Sequence, residues 1–181
     1  MTAPPPPETS GLDLRVFIRD IPDFPRAGVV FKDITPLLGH GPAFVQSVER
    51  LAEVGRRHQA NKVVAIESRG FIFGSAVAQA LGVGVVPVRK KGKLPFKTLA
   101  AAYVLEYGTD TLEMHVDALA PGDRVLIVDD VLATGGTAQA VIRLIKEARG
   151  LAVASAFVIE LTFLNGRHKL PNIDVASLIR Y

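Results

Sequence analysis

Cysteine is absent from this chain of 181 residues, which excludes both disulfides and thiolate metal sites. Long apolar runs are also lacking, since none reaches the roughly 18 residues that a membrane-spanning helix needs. The charges nearly balance, because 21 lysines and arginines face 18 acidic residues and leave a net charge of +3. We therefore expect neither a membrane nor a nucleic acid as partner, and the lack of cysteine fits a cytoplasmic protein.

Hydrophobic residues make up 49% of the chain, which is enough for one sizeable core. The first residues carry neither the basic region nor the apolar stretch of a secretory signal, and Pro4 to Pro7 form an unbroken proline run. Proline runs of this kind are extended and do not pack. The sequence therefore predicts a disordered tail at 1–11 and a single domain at 12–181.

Strand-like and helix-like segments alternate along most of the chain. Short, β-branched apolar runs, which are typical of strands buried on both faces, occur at 62–66, 83–88 and 125–128. Helical patterns follow at 71–81 and 136–148, and further apolar runs lie at 151–161 and 173–179. This alternation predicts an α/β fold, a doubly wound and mainly parallel sheet flanked by helices. In such sheets ligands bind at the carboxyl ends of the strands.

The remaining segments are less regular. We predict a short helix at 12–19, a short strand at 29–31 and a helix at 42–59 with proline in its first turn. Residues 93–115 form a polar, glycine-containing insertion between two predicted strands, where a mobile lid is expected. The basic residues cluster just before it, in Arg-Lys-Lys-Gly-Lys at 89–93.

Residues 125–137 carry the strongest functional signal, Val-Leu-Ile-Val-Asp-Asp-Val-Leu-Ala-Thr-Gly-Gly-Thr. The strand brings Asp129 and Asp130 to the edge of the sheet, and the glycines open a helix whose N–H groups can surround a phosphate. Thr134 and Thr137 add hydroxyl donors. The plainer alternative is an aspartate-rich turn with a threonine helix cap. The two carboxylates favour a ligand that also offers hydroxyl groups or positive charge.

This motif resembles the signature with which type I phosphoribosyltransferases bind phosphoribosyl pyrophosphate (PRPP). Resemblance to the adenine-specific branch of that family runs from about residue 21 to the end of the chain. It rests on Asp-Phe-Pro at 23–25, Gly-Val-Val-Phe-Lys-Asp-Ile at 28–34, Ser-Arg-Gly-Phe at 68–71, Arg-Lys-Lys-Gly-Lys-Leu-Pro at 89–95, Leu-Glu-Tyr-Gly at 105–108 and Glu-Leu-Thr at 160–162.

The resemblance implies a role for each motif in binding PRPP. The 5-phosphate would lie in the loop formed by Ala133, Thr134, Gly135, Gly136 and Thr137. Asp129 and Asp130 would accept the ribose hydroxyls and stabilise positive charge at C1. Pyrophosphate would be bound by Arg69, Arg89 and Lys93. Mg²⁺ would be held through the substrate, with no direct protein ligand, and a non-proline cis peptide would fall near Glu67-Ser68.

The resemblance also implies how the base is bound. A small N-terminal hood, mainly 12–40, would carry Val30, Phe31 and Lys32 to adenine, with Leu161 on the opposite face. Glu106, in a lid at 93–115, would handle the proton as N9 bonds to C1. Plainer alternatives remain for each, because Arg69 suits a surface turn, Glu106 an exposed loop and Phe31 a core.

By the same resemblance, the chain would convert adenine and PRPP to AMP and pyrophosphate, as a homodimer. Two other functions stay open at this point. One is transfer to another base, such as hypoxanthine, xanthine or orotate, although those enzymes lack the Val-Val-Phe-Lys and Leu-Glu-Tyr-Gly pair. The other is a noncatalytic PRPP-binding regulator, which usually adds a DNA-binding domain.

Overall fold

A computed structural model of the chain describes residues 11–104 and 109–181. It divides the chain into two compact units, one ending at Glu49 and one running from Arg50 to Tyr181. Among the described residues, no helix combines the length and the apolar character that crossing a bilayer requires. The organisation expected from the sequence, with a tail at 1–11, a single domain, a hood at 12–40 and a lid at 93–115, stays a prediction.

The first unit contains a small antiparallel pair of strands. A single 3-10 turn covers Leu14–Phe17, strand β1 covers Arg19–Ile21, strand β2 covers Phe31–Asp33 and helix α1 covers Thr35–Gly39. The helix predicted at 12–19 is therefore wrong beyond one turn, and the predicted strand is shifted by two residues. Cross-strand ion pairs explain both differences, because Arg19 pairs with Asp33 at 2.8 Å and Lys32 with Asp20 at 2.7 Å.

The second unit is built on a sheet in which seven described strands pair in the order β5-β6-β4-β3-β7-β8-β9. Its strands are β3 (Lys62–Ile66), β4 (Gly84–Lys90), β5 (Thr98–Val104), β6 (Thr109–His115), β7 (Arg124–Leu132), β8 (Leu151–Glu160) and β9 (Asp174–Arg180). Strands β4, β3, β7, β8 and β9 run parallel. The mainly parallel sheet predicted from the sequence is confirmed.

Helix α2 covers Gly41–Arg57, α3 covers Gly70–Leu81 and α4 covers Gly136–Glu147. Helices α3 and α4 connect strands of this sheet and pack against it, and helix α2 precedes β3. The buried strand residues are mostly valine, isoleucine and alanine, and the large side chains Phe73 of α3 and Leu144 of α4 are fully buried. Burial of such side chains contributes about 1.5–3 kcal/mol each, which makes this sheet a firm support for the turns at its edge.

Residues 93–115 differ most from the expectation of a polar insertion. Strands β5 and β6 form an antiparallel hairpin in that segment, and β6 pairs with β4 to extend the sheet. The reason is visible in β6, where Leu112 and Met114 are almost completely buried, as expected of alternate residues on one face of a strand. The predicted polar insertion is therefore corrected to a hairpin, of which the structure describes all but 105–108.

Candidate active site

Two turns meet at the same edge of the sheet. The first turn, the Arg69 loop (residues 67–69), joins β3 to α3, and the second, the phosphate loop (residues 133–137), joins β7 to α4. Strands β3 and β7 are parallel neighbours whose pairing runs from Lys62 opposite Val125 to Ala65 opposite Val128. Their carboxyl ends therefore lie side by side, and the sequence prediction of ligand-binding turns at this edge has the required geometry.

Asp129 and Asp130 lie where one side of β7 loses its strand partner. Pairing with β3 ends at Val128, whereas pairing with β8 continues to Leu132 opposite Glu160. The two aspartates are thus still part of a strand, which holds their backbone firmly. On the side where β3 has ended they line an open cleft.

The phosphate loop opens helix α4 with backbone groups turned outward. Gly135 is the residue before the helix, with φ 77° and ψ 0°, a left-handed conformation that favours glycine. In this described part of the chain, no side chain forms a hydrogen bond that caps the helix. Because the first N–H groups of a helix lack partners within it, those of α4 are available to an anion.

Two cavities adjoin this helix terminus. The smaller, of about 60 Å³, is lined by the phosphate loop together with Asp129, Leu132 and Phe157. The larger cleft, of about 450 Å³, falls in the size range of small-molecule sites. Its lining residues come from both loops and from the neighbouring strands: Ile66, Glu67, Ser68, Arg69, Lys90, Tyr103, Leu112, Asp129, Asp130 and Thr137. The larger cleft brings together four predicted site residues, Arg69, Asp129, Asp130 and Thr137.

The two adjacent carboxylates differ in their surroundings. Arg69 Nε lies 2.9 Å from Asp130 Oδ2, although this buried oxygen has no partner with hydrogen-bond geometry. Asp129 accepts the N–H of Asp130 at 2.9 Å. Burial, and then the charge of Asp130, raise the pKa of Asp129 well above its usual range, although its side chain keeps some contact with solvent. The two carboxylates therefore offer acceptor oxygens to a ligand, and keeping both ionised lowers the stability of the ligand-free protein.

Gly70 allows this close approach. A Cβ atom at Gly70 would lie 2.6 Å from Asp129 Oδ1 and 3.2 Å from the Val128 carbonyl oxygen. Real Cβ atoms essentially never come that close to another atom. The first residue of α3 must therefore be glycine for Asp129 to keep its position.

The Arg69 loop contains the cis peptide expected from the resemblance, between Glu67 and Ser68. Arg89 lies behind the loop, where its Nε donates to Glu67 Oε2 at 3.0 Å and its Nη1 to the Lys93 carbonyl at 3.2 Å. Neither Arg89 nor Lys93 is among the residues that line the larger cleft. Their role with pyrophosphate stays a prediction.

Lys90 and Tyr103 line the cleft but are not among the site residues proposed from the sequence. Lys90 Nζ lies 3.1 Å from Asp110 Oδ2, and the Tyr103 hydroxyl donates to the same oxygen at 3.4 Å. The hydrogen bond with Asp110 raises the pKa of Lys90, and burial raises the pKa of Tyr103. Tyr103 and Asp110 are direct partners across the β5–β6 hairpin. The signals that predict such a hairpin are the apolar run at 99–105 before Gly108 and the alternating apolar residues Leu112, Met114 and Val116 after it.

The residues expected to bind the base belong to both compact units, and each group is described by itself. In the first unit, Val30 is half-exposed, the Phe31 ring lies edge-on to Phe24 at 5.2 Å, and Lys32 bonds Asp20. In the second unit, the N–H of Leu161 donates to the Leu132 carbonyl at 2.9 Å. Their predicted meeting around adenine stays a prediction.

Glu106, the residue expected to handle the proton, lies outside the described residues, as do Leu105, Tyr107 and Gly108. The catalytic assignment of Glu106 therefore rests on the sequence alone.

The chain resembles known proteins over nearly all of its length. The model of the family described as phosphoribosyl transferase domain matches residues 37–175. A curated adenine phosphoribosyltransferase from Thermotoga maritima is 55% identical over 94% of this chain and 98% of its own length. One from Acidothermus cellulolyticus is 55% identical over 97% of this chain and 99% of its own length.

Solved structures agree with these relatives. The adenine phosphoribosyltransferase of Rhodothermus marinus gives a TM-score of 0.88 at 56% identity, and the match covers 93% of this chain and 96% of that one. The enzyme of Saccharomyces cerevisiae, solved with adenine and an imino-altritol bisphosphate, gives 0.86 at 40% identity, covering 91% and 96%.

Proposed function

Because the chain belongs to the phosphoribosyltransferase family and, within it, to the adenine phosphoribosyltransferases, we propose that it transfers the phosphoribosyl group of PRPP to adenine. The products are AMP and pyrophosphate. The observation that carries the proposal is the junction of β7 and α4, where an uncapped helix N-terminus follows two strand-held aspartates. A sugar phosphate offers an anion for the helix N-terminus and hydroxyl groups for the two carboxylates.

In the proposed reaction the phosphate loop binds the 5-phosphate through the N–H groups of Gly135, Gly136 and Thr137, with Ala133 and Thr134 forming the rest of the loop. Asp129 and Asp130 accept the two ribose hydroxyls. When the bond to pyrophosphate breaks, positive charge develops at C1 and the ring oxygen. Two carboxylates whose backbone is held in a strand stabilise that charge without having to reorganise.

The leaving pyrophosphate needs positive charge on its own side of the cleft. Arg69 offers a guanidinium there, and Lys90 offers an ammonium group that also lines the cleft. Arg69 pairs with Asp130 while it lines the cleft, so the same guanidinium can contact both the carboxylate and the pyrophosphate. We propose that Arg69 binds pyrophosphate, assisted by Lys90, and that Arg89 and Lys93 contribute from the adjoining turn.

Magnesium fits this site as a partner of the substrate. Within the described residues, no group of three or more His, Cys, Asp or Glu could hold a metal by itself. The ion would be held mainly by the oxygens of the bound substrate, in a cleft of about 450 Å³ that leaves room for them. When bound, the ion neutralises charge on the leaving pyrophosphate, and the protein's own part is to position the oxygens around it.

We further propose that adenine is bound by Val30, Phe31 and Lys32 on one face and Leu161 on the other, and that Glu106 handles the proton at the base. A glutamate enclosed with an apolar base acquires a pKa suited to this work near neutral pH. The side chain of Lys32 bonds to Asp20 at 2.7 and 2.9 Å, so we assign the base contact to the main chain of Lys32 and not to its ammonium group. The adenine bound in the yeast relative supports this choice of base.

An assay with parallel bases tests the function. We expect AMP formation from PRPP, Mg²⁺ and adenine, with guanine, hypoxanthine and orotate slower by at least about a hundredfold, because mismatched buried donors cost roughly 1–3 kcal/mol each. Faster turnover of another base would contradict the substrate. Binding of PRPP by calorimetry without turnover of any base would favour the noncatalytic regulator instead.

We also propose a homodimer, because in this family the segment equivalent to 89–93 lies near the subunit contact. Its basic side chains, Arg89 and Lys93 among them, would then reach the partner's site. Sedimentation at micromolar concentration measures the mass directly. A fully active monomer would contradict the proposal.

A further inference from the structure

The phosphate loop rests against a 3-10 turn that is remote in sequence, the Gly166 turn (Gly166–Lys169). A Cβ atom at Gly135 would collide with the Gly166 carbonyl oxygen, and a Cβ atom at Gly166 would collide with the Ala133 carbonyl oxygen. Each turn therefore fills the space that a side chain on the other would need. This mutual contact is between main chains, so neither side can yield by rotating a side chain.

The Gly166 turn is itself held in place by the residue that follows Gly166. Arg167 donates to both carboxylate oxygens of Glu160, at 2.5 and 2.7 Å, and its Nη1 donates to the Val175 carbonyl at 2.5 Å. Glu160 is the last residue of β8 and is 4% exposed, and Val175 belongs to β9. One guanidinium thus ties the turn to the ends of two parallel strands.

The charges around Glu160 make this anchor strong. Hydrogen bonds from Arg167 are the largest cause that lowers the pKa of Glu160, with Ser177 and the charge of Arg180 acting in the same direction. Arg180 Nε lies 3.3 Å from Glu160 Oε2. A bidentate pair of arginine and carboxylate fixes direction as well as distance. The anchor is therefore stiff enough to define where Gly166 lies.

Leu161, which precedes the turn, is fixed by other bonds. Its N–H donates to the Leu132 carbonyl at 2.9 Å, and the N–H of Thr162 donates to the Tyr181 carbonyl at the same distance. Neither bond involves Gly166 or Arg167. A displacement of Gly166 should therefore affect the phosphate loop, which it contacts directly, more than Leu161.

We propose that the Gly166 turn is a positioning element for the phosphate loop: Arg167 anchors it to β8 and β9, and the Gly166 main chain sets the position of residues 133–135. Gly166 and Arg167 are positioning residues, because they act on the substrate through the loop. The inference rests on the proposed function, which assigns that loop to the 5-phosphate of PRPP.

Gly166→Ala tests the contact cleanly, because the φ of Gly166, unlike that of Gly135, is outside the left-handed region. The two halves of PRPP serve as separate probes in calorimetry, ribose 5-phosphate for the loop and magnesium pyrophosphate for the Arg69 side. We expect ribose 5-phosphate to bind about tenfold to a hundredfold more weakly, the size of effect that a displacement of about 1 Å produces, with pyrophosphate binding unchanged. In steady state, the KM for PRPP should rise while the KM for adenine stays close to normal.

Gly41→Ala is the matched control, because a Cβ atom there meets nothing within 4 Å. Should Gly166→Ala fail to fold, Arg167→Lys decides, since lysine keeps the charge beside Glu160 but cannot bond it and Val175 with one rigid fork. It should show the same selective loss. A folded variant with unchanged ribose 5-phosphate binding, or with equal losses for both probes, overturns the inference. A wild-type chain that binds ribose 5-phosphate but forms no AMP would contradict the proposed reaction and not the positioning role.

Discussion

The Arg69 loop and the phosphate loop occupy equivalent places in the fold yet work through different parts of the chain. Each follows one of two neighbouring parallel strands and opens a helix. The phosphate loop presents backbone N–H groups, with Gly135 in a left-handed conformation. The Arg69 loop has right-handed Arg69 before its helix and presents a guanidinium beside Asp130. The phosphate loop should therefore lose its function when its backbone is disturbed, and the Arg69 loop when its charge is removed.

Glu67, the carboxylate of the Arg69 loop, is already paired with Arg89 at 3.0 Å, so the largest effect should come from outside both turns. Glu106→Gln keeps the size and reach of the side chain but removes proton transfer, which typically supplies about 10²–10⁴ in rate. We expect kcat to fall by that factor while calorimetry shows near-normal PRPP binding. Asp130→Asn is the contrast, because loss of a ribose acceptor should weaken binding and turnover together. Near-normal turnover in Glu106→Gln would show that the proton is handled elsewhere.

Disturbing the backbone of the phosphate loop should give the next largest effect. Gly135→Ala combines an unfavourable φ with a collision against the Gly166 carbonyl. We expect the KM for PRPP to rise by about a hundredfold or more, since misplacement of about 1 Å costs that much. A calorimetric titration with ribose 5-phosphate measures the loop directly. If Gly135→Ala binds ribose 5-phosphate as tightly as the wild type does, the phosphate loop does not act through its backbone and the contrast with the Arg69 loop is wrong.

Removing the charge from the Arg69 loop should cost somewhat less. Arg69→Gln loses charge-assisted hydrogen bonds that typically contribute about 1.5–3 kcal/mol, or roughly tenfold to a hundredfold in affinity. The loss should be larger for magnesium pyrophosphate than for ribose 5-phosphate, which senses it only through the pairing of Arg69 with Asp130, the reverse of Gly135→Ala. Arg50→Gln, at an exposed site on α2, serves as the control. Equal losses for the two ligands would mean that the Arg69 loop mainly supports the fold.

The smallest effect concerns stability and pH. A carboxyl whose pKa is raised by folding holds its proton more tightly in the folded chain, so ionised Asp129 destabilises the free protein at neutral pH. That penalty disappears as the pH falls through the raised pKa toward the usual aspartate value of about 4. Asp129→Asn should therefore raise the Tm by about 2–4 °C at pH 7 while it lowers AMP formation.

A calorimetric series from pH 8 to pH 4, in steps of roughly one unit across the range where aspartates titrate, tests the sign. The difference in Tm between Asp129→Asn and wild type should shrink as the pH falls. Asp117→Asn, at an exposed turn after β6, should show no such trend. A Tm difference that grows on acidification would contradict the assigned cause.

The sequence predicts the parallel core well because β3, β7 and most of β8 are buried on both faces. The expectation of the same for 83–88 is wrong, because β4 buries only Val86 and Val88 and leaves Val85 exposed. Strand β3 has the expected bounds, and β7 extends its predicted run through Asp129 and Asp130 to Leu132. The hydrophobic pattern of the sequence does not reveal that extension, because two consecutive aspartates usually indicate the end of a strand. They remain paired because β8 continues beside them after β3 has ended. Pairing with β8, which is distant in sequence, therefore determines where β7 ends.

The hairpin of β5 and β6 was missed for a related reason. Its polar residues suggested a loop, but several of them are bonded across strands: Lys90 and Tyr103 to Asp110, and Glu113 to the N–H of Gly92. Lys90 and Tyr103 consequently line the cleft without belonging to a known local motif. The contact of Gly135 with Gly166 is likewise invisible in sequence, because glycines 31 positions apart give no periodic signal.

Gly70 makes the Arg69 loop and the β7 segment with Asp129 depend on each other, because the first residue of α3 lies against the Asp129 carboxylate. A designer who grafts the β7 segment with Asp129 onto another α/β scaffold also needs a helix start without a side chain on the neighbouring strand, because any Cβ atom at the position of Gly70 would displace the Asp129 carboxylate. The portable unit for engineering is therefore the pair of strand ends with both turns. Libraries that vary residues 125–137 should keep Gly70 constant. Changes in the phosphate loop should be combined only with changes in the Arg69 loop.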